Sequence, residues 1–252
     1  MAAIASPTIH GHGTPEQHWQ PWLARQALPT VTAATLLHPC QRVVVVAPHP
    51  DDEVLGLSGI LLYCAAAALD CVVIYVTDGD ASHPGSPCWP PQRLAQVRAQ
   101  ESAQALALLA PHASICRLGM GDGRIAEHAP QLAGMLRQHL QPGDALLCPW
   151  RLDGHPDHDA TGQVCAAIAS DTGCLHIEVP IWAWHWATPG DLRVPWHRAV
   201  TLALTPEQQA RKQLAVACFR SQLQPDPSTG REAILPPWAL QRLLRPFEVV
   251  LR

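Results

Sequence analysis

The feature that most constrains the fold of this chain is the run 42–47, RVVVVA, in which β-branched residues follow one another with no polar alternation. Such a run suits a strand buried on both faces, as in the middle of a parallel sheet. An Ala-rich apolar stretch over 53–69 then reads as a helix, and 71–77 (CVVIYVT) as a second buried strand. The same grammar repeats along the chain. Helices are expected over 91–109, 125–140 and 158–170, and strands over 114–118, 145–148 and 175–179. Strands alternating with helices imply right-handed βαβ crossovers. The expected fold is therefore α/β: a Rossmann-like open, mainly parallel sheet flanked by helices. After 180 the rhythm fades into Pro- and Trp-rich chain, with one clear helix over 206–221 and a last strand over 247–251.

Residues 1–40 are rich in Pro, His and Thr and read as an N-terminal extension, with a short helix near 16–27. Residues 41–252 read as one domain. A chain of 252 residues with 48% hydrophobic and 15% charged side chains has a globular balance, not a disordered one. A net charge of −4 without a basic stripe excludes a nucleic-acid partner. No window of roughly 18 residues is free of charge and proline, so no membrane span is expected. The start, MAAIASPTIHGHG, has neither the basic nor the apolar segment of a secretory signal. The nine cysteines include no CxxC pair, and Cys71, Cys116, Cys148 and Cys165 sit in apolar runs. They are expected to be buried, reduced thiols of a cytoplasmic protein and not a disulfide framework. Homo-oligomerisation is left open.

In open α/β sheets ligands bind outside the carboxyl ends of the strands. The dense polar clusters of this sequence fall there: His49 to Glu53 after the first strand, Asp78-Gly79-Asp80 after the second, and Asp153 to Asp159 after the strand 145–148. A helix N-terminus favours acids, which would account for Asp52 and Glu53 as caps. Capping does not account for His49 together with Asp51 and Asp52. Packed against a buried strand, unpaired charges repel and are costly to desolvate, and a divalent cation relieves both. His155 and His158, with Asp157 between them, supply two imidazoles and a carboxylate suited to an open zinc site with room for water.

Ala47-Pro48-His49-Pro50-Asp51-Asp52-Glu53 resembles the first signature of the PIG-L (LmbE-like) N-deacetylase family, and Gly154-His155-Pro156-Asp157-His158 resembles its second. Weaker likeness runs from 42 to 222 through Thr77-Asp78-Gly79, Arg98-Ala99-Gln100-Glu101, Gly121-Asp122-Gly123, Lys212 and Ser221-Gln222. The resemblance implies that His49, Asp52 and His158 bind one Zn²⁺ per chain and that Asp51 is the general base. It gives His155 the tetrahedral oxyanion or the departing amine, with Asp157 orienting a neighbour. Arg98 and Asp122 match positions that contact the sugar. The implied substrate is a small N-acetylated sugar or glycoconjugate of the N-acetylglucosamine type, the reaction a deacetylation. One departure is Ser58, which stands where the family usually has the first glycine of a pair; it either narrows the approach to the metal or adds a hydrogen bond.

Trp182, Trp184 and Trp186 alternate, which in an extended segment would put three rings on one side. They read as either a stacking platform or, preferably, a hydrophobic cover. Three other functions remain open: an amidase on a sugar-thiol conjugate, a non-haem iron oxygenase using two histidines and a carboxylate, and a binding module that kept the fold without the reaction. The oxygenase triad usually sits on a β-barrel, and here the pattern alternates strand and helix.

Overall fold

The computed structural model of the chain describes residue 9 and residues 11–252. In chain order the elements are α1 (Glu16–Gln26), α2 (Ala33–Leu37), β1 (Arg42–Ala47), α3 (Asp52–Ala67), β2 (Asp70–Thr77), α4 (Pro91–Leu109) and β3 (Ser114–Met120). A short 3-10 turn, Ile125–His128, leads into α5 (Ala129–Arg137), followed by β4 (Ala145–Pro149), α6 (Pro156–Thr172) and β5 (Leu175–Val179). The last third contains α7 (Ala183–Trp186), β6 (Ala199–Ala203), α8 (Pro206–Val216), α9 (Arg220–Leu223), α10 (Pro237–Leu240) and β7 (Phe247–Leu251).

The sheet order is β3-β2-β1-β4-β5-β7-β6. The first five strands in that order are parallel, and β7 runs antiparallel to both β5 and β6. The unalternating β1 run is explained by its two coverings. Val43 and Val45 join one apolar cluster with Leu57, Ile60, Leu61 and Phe219, while Val44 and Val46 join another with Leu132, Leu136 and Ile168. Each fully buried valine is worth roughly 1.5–3 kcal/mol over exposure, so a charge at any of the four would break a layer. The chain builds outward from β1 to β3 and then returns to place β4 on the other side of β1. The loops leaving β1 and β4 therefore diverge around a crevice at the switch point.

Several boundaries differ from the sequence reading. The expected helix 125–140 splits into the 3-10 turn and α5, and 206–221 breaks after Val216. β6 has no counterpart in that reading, because its strand (AVTLA) is short and its strand partner β7 lies far along the chain. The tryptophan segment is not extended. Asp153 accepts the N–H groups of Ile181, Trp182 and Ala183 at 2.9 Å each, which winds 182–186 into a helical turn. The three rings consequently part: Trp184 is buried against Trp19, and Trp186 donates its indole N–H to Asp153 O at 2.6 Å. All nine cysteines are free thiols. No helix among the described residues is long and apolar enough to cross a membrane.

Candidate functional site

The loop after β1 delivers His49, Asp51 and Asp52 in four residues, and its backbone is forced to do so. Asp51 adopts φ 138°, ψ −28°, a region that non-glycine residues rarely enter and that costs of order 1–3 kcal/mol. Its neighbours hold it there. The Asp51 N–H donates to Glu53 Oε2 at 3.0 Å, and Tyr75 donates its hydroxyl to the other oxygen, Oε1, at 2.8 Å. On the far side Arg98 Nη2 donates to Pro50 O at 2.7 Å and to Asp51 Oδ2 at 3.0 Å, while Nη1 donates to Gly79 O at 3.0 Å. A Cβ on Gly79 would collide with Arg98 Nη1. The Thr77-Asp78-Gly79 motif thus makes room for this guanidinium. Burial pushes the Asp51 carboxyl up to about 7, with the Arg98 charge pulling against it.

The two outer imidazoles are each gripped from behind by carboxylate. His158 Nδ1 lies 2.8 Å from Asp153 Oδ2, and His49 Nε2 lies 3.1 Å from Asp122 Oδ1 and 3.2 Å from Asp157 Oδ2. Carboxylates only accept, so the ring protons sit on those nitrogens. The opposite nitrogens face Asp52: His49 Nδ1 is 3.4 Å from Oδ2, and His158 Nε2 is 3.2 Å from Oδ1. His158 Nε2 is buried and meets no group in hydrogen-bonding geometry. An imidazole fixed on one nitrogen by a carboxylate behind it, with its other nitrogen turned toward a shared carboxylate, is the arrangement proteins build for a metal ligand. Nitrogens of His49, His155 and His158 lie within 4.8 Å of one another, as do donor atoms of His49, Asp122 and Asp157.

His155 completes the cluster, its ring 4.9 Å from that of His49 and 5.0 Å from that of His158. Its Nδ1 accepts the Asp157 N–H at 3.2 Å, which leaves the proton of the neutral ring on Nε2. Burial, followed by the positive charges of His158 and His49, pushes its pKa down to about 3. Asp157 also accepts the N–H groups of Gly123 and Ile125 at 2.7 and 3.2 Å, so it ties the start of α6 to the loop after β3. Arg98, Asp122 and Ala81–Ser82 line the same cavity of about 610 Å³ as His49, Asp51, Asp52 and His155. Asp122 has one oxygen at His49 and the other accepting the Ala81 N–H at 2.8 Å, so it reaches the cavity as part of a network and not as a free side chain.

Three residues around this cluster carry no role in the sequence reading. Asp153 holds both His158 and the 181–183 backbone, and Glu53 with Tyr75 holds the Asp51 turn. Asp153 was visible as the first acid after β4, five residues before His158; nothing local marks Tyr75, whose partner is set by the β1–β2 register. Elsewhere, Glu101 accepts from Ser221 N and Oγ at 2.8 and 2.7 Å, and Lys212 is buried on Glu248 and Leu55 O at 2.7 Å each. Both join helices to one another or to the sheet, away from the imidazoles. Ser58 Oγ donates to Val54 O at 2.6 Å inside α3, so of the two expectations for it the added hydrogen bond is the one realised.

Residues 44–169, half of the chain, match the family described as PIG-L, GlcNAc-PI de-N-acetylase. The diacetylchitobiose deacetylase of Thermococcus kodakarensis is 30% identical over 146 residues, which are 53% of this chain and 51% of that protein. The chain thus spans about half the length of that curated relative. Among solved structures, the N,N'-diacetylchitobiose deacetylase from Pyrococcus horikoshii aligns with a TM-score of 0.53 at 18% identity, over 82% of this chain and 79% of that one. The A40926 pseudoaglycone deacetylase Dbv21 aligns with a TM-score of 0.56 at 20% identity, over 73% and 83%. These likenesses agree on the fold, and both signature clusters lie inside the matched residues. The chain belongs to the PIG-L (LmbE-like) family.

Proposed function

We propose that the protein is a zinc-dependent hydrolase that removes the N-acetyl group from an N-acetylglucosamine-type sugar or glycoconjugate. His49, Asp52 and His158 would hold one zinc per chain. The observation that carries this reading is the pair of imidazoles backed by Asp122, Asp157 and Asp153, whose free nitrogens converge on Asp52. The donor set, two imidazoles and one carboxylate with further positions open, fits zinc. When bound, zinc lowers the pKa of a water to about 7 and polarises an amide carbonyl.

The chain's own residues supply the remainder. Asp51 accepts a proton from the attacking water; Arg98 fixes its carboxylate, and the strained turn fixes its backbone. With its proton on Nε2, His155 donates to the carbonyl oxygen as charge develops there, the kind of interaction worth most in acyl transfer. The water oxygen bonds to the carbonyl carbon, the C–N bond breaks, and the proton is delivered to the leaving nitrogen. Arg98 and Asp122 form the side of the cavity where sugar hydroxyls would bind. The relatives' activities, deacetylation of diacetylchitobiose and of the A40926 pseudoaglycone, support a sugar amide as substrate.

The test is amine release from a panel of N-acetylated sugars, with zinc and iron quantified in the same preparation. Release that a chelator abolishes and zinc restores is the expected result. A protein that holds no zinc and releases no amine from any compound would overturn the proposal.

A further inference from the structure

Among the described residues three arginines are buried: Arg98, Arg242 and Arg245. Two of them have the carboxylate that a buried guanidinium ordinarily needs. Arg98 pairs with Asp51, and Arg245 with Glu16. Arg242 forms no ion pair among the described residues, although it is 4% exposed and lines the same cavity as His49, Asp51 and His155. Leu55, Trp182, His185 and Leu243 belong to that lining too.

The five N–H groups of Arg242 are only partly used. Nη1 donates to His12 O and Thr14 O at 3.0 and 2.8 Å, and Nη2 donates to His185 Nδ1 at 3.1 Å, since arginine only donates. Nε and one Nη2 N–H are left without a partner among the described residues. The groups that hold Arg242 are neutral, so they orient its charge without cancelling it. Burial, with the Arg245 charge beside it, pulls the Arg242 pKa down to about 10, and the side chain is still a cation at neutral pH. Its holders are themselves locked together. Gly13, at φ 61°, passes so close to His185 that a Cβ there would collide with the His185 ring and carbonyl. Thr14 N–H donates to His185 O at 2.8 Å, and the Thr14 hydroxyl to Ala187 O at 2.6 Å. A desolvated cation held in place before any ligand arrives binds an acceptor oxygen with little further ordering cost.

We infer that Arg242 is a substrate-binding residue that reads an acceptor oxygen on the part of the substrate beyond the sugar amide, with residues 12–14 as its positioning segment. The inference rests on the hydrolase reading above and deepens it. None of the hydrogen bonds of Arg242 is with the imidazole–carboxylate cluster, so the oxygen it reads is not that of the amide being cleaved. Arg242 and residues 12–14 also lie outside the family-matched residues 44–169, which hold every proposed metal ligand and catalytic group. The oxygen has two chemical sources, a hydroxyl or amide of a neutral second sugar or a carboxylate, and both accept from the same two N–H groups.

Binding calorimetry on the zinc-loaded Asp51→Asn protein tests this, since ligand is held without turnover. Three ligands are compared: methyl N-acetylglucosaminide, N,N'-diacetylchitobiose and carboxymethyl N-acetylglucosaminide. At least one of the two larger ligands is expected to bind about tenfold more tightly than the methyl glycoside, and which one does so identifies the source. Arg242→Met should erase that gain. Gly13→Ala, which keeps Arg242 and displaces the segment that holds it, should lose most of the gain and decides the matter if Arg242→Met does not fold. Equal affinity for all three, binding of none, or a gain that survives in the folded variants overturns the role of Arg242. Amine release by the wild-type protein is read in parallel. Release with equal affinities sinks the Arg242 contact alone, and an Arg242-dependent gain without any release sinks the hydrolase reading alone.

Discussion

At the scale of single residues, the site separates groups that would hold the metal from groups that would move protons. Asp51 and Asp52 are adjacent in sequence, but the positive φ at Asp51 sends one carboxylate to Arg98 and the other between two imidazoles. Asp51→Asn should therefore reduce turnover by at least ~10²-fold while bound zinc stays stoichiometric by elemental analysis. His49→Ala or Asp52→Ala should lose the metal itself. An Asp51→Asn protein with most of its activity would remove the general-base role. Asp153 gives a subtler case, because it reaches the proposed metal only through His158. Asp153→Asn should weaken zinc binding by about 10–100-fold in competition with a chromogenic chelator, with activity returning at saturating zinc. His49, Asp51, Asp52, His155 and His158 were legible in the sequence because two short motifs follow two buried strands. Asp153 and Tyr75 were not, because their roles depend on which atoms face each other across strands, and single-sequence patterns carry no such distances.

At the scale of elements, the β-branched runs between helices announced the parallel strands and the last strand was legible over 247–251, but β6 escaped notice because it is short and its strand partner β7 lies about 50 residues later in the chain. The Trp182–Trp186 stretch shows the same limit from the other side. Its period-two pattern suits a strand, and the buried carboxylate of Asp153 overrides it by gathering three consecutive N–H groups. A second buried carboxylate joins elements on the same flank. Glu178 on β5 is fully buried and accepts from Arg151 Nε and Nη2 at 2.7 and 3.0 Å and from Arg198 Nη2 at 2.9 Å, linking the loops that follow β4 and precede β6. Burial raises its pKa, but hydrogen bonds and charge from Arg151 outweigh that and hold it below the ordinary 4.5. A depressed folded-state pKa contributes stability that is present above the unfolded value and is lost as pH falls through the folded one. Glu178→Gln should thus cost about 1–3 kcal/mol at pH 7 in urea unfolding, and its difference from wild type should shrink below about pH 4. A gap that is the same at pH 7 and pH 3 would show that the charge on Glu178 contributes nothing.

At the scale of the whole molecule, the question is how the segment before β1 relates to the family's catalytic core. Residues 1–40 carry none of the signature motifs, so the sequence assigns them no partner; in the structure Thr14, Glu16 and Trp19 find partners more than 150 positions later. Trp19 on α1 is fully buried, donates its indole N–H to Trp184 O at 3.1 Å, and stands edge-on to the Trp184 ring at a centroid distance of 5.0 Å. Around it Glu16 forms a bidentate pair with Arg245 at 2.9 and 2.7 Å, and Thr14 N–H donates to His185 O at 2.8 Å. Trp184 and His185 belong to the helical turn that Trp182 begins, and Trp182 and His185 line the cavity, so the N-terminal segment braces that side of the cavity. If that bracing is part of the cooperative unit, Trp19→Ala should cost about 3–5 kcal/mol. Unfolding should remain a single transition, with far-ultraviolet circular dichroism and tryptophan fluorescence coinciding at a lower urea midpoint. Two separated transitions, or a loss below about 1 kcal/mol, would mean that the segment melts on its own and that this side of the cavity stands without it. The zinc content of the variant discriminates further: the proposed ligands His49, Asp52 and His158 sit around the start of α3 and on α6, outside the Trp19 cluster, so the metal should stay bound below the new midpoint.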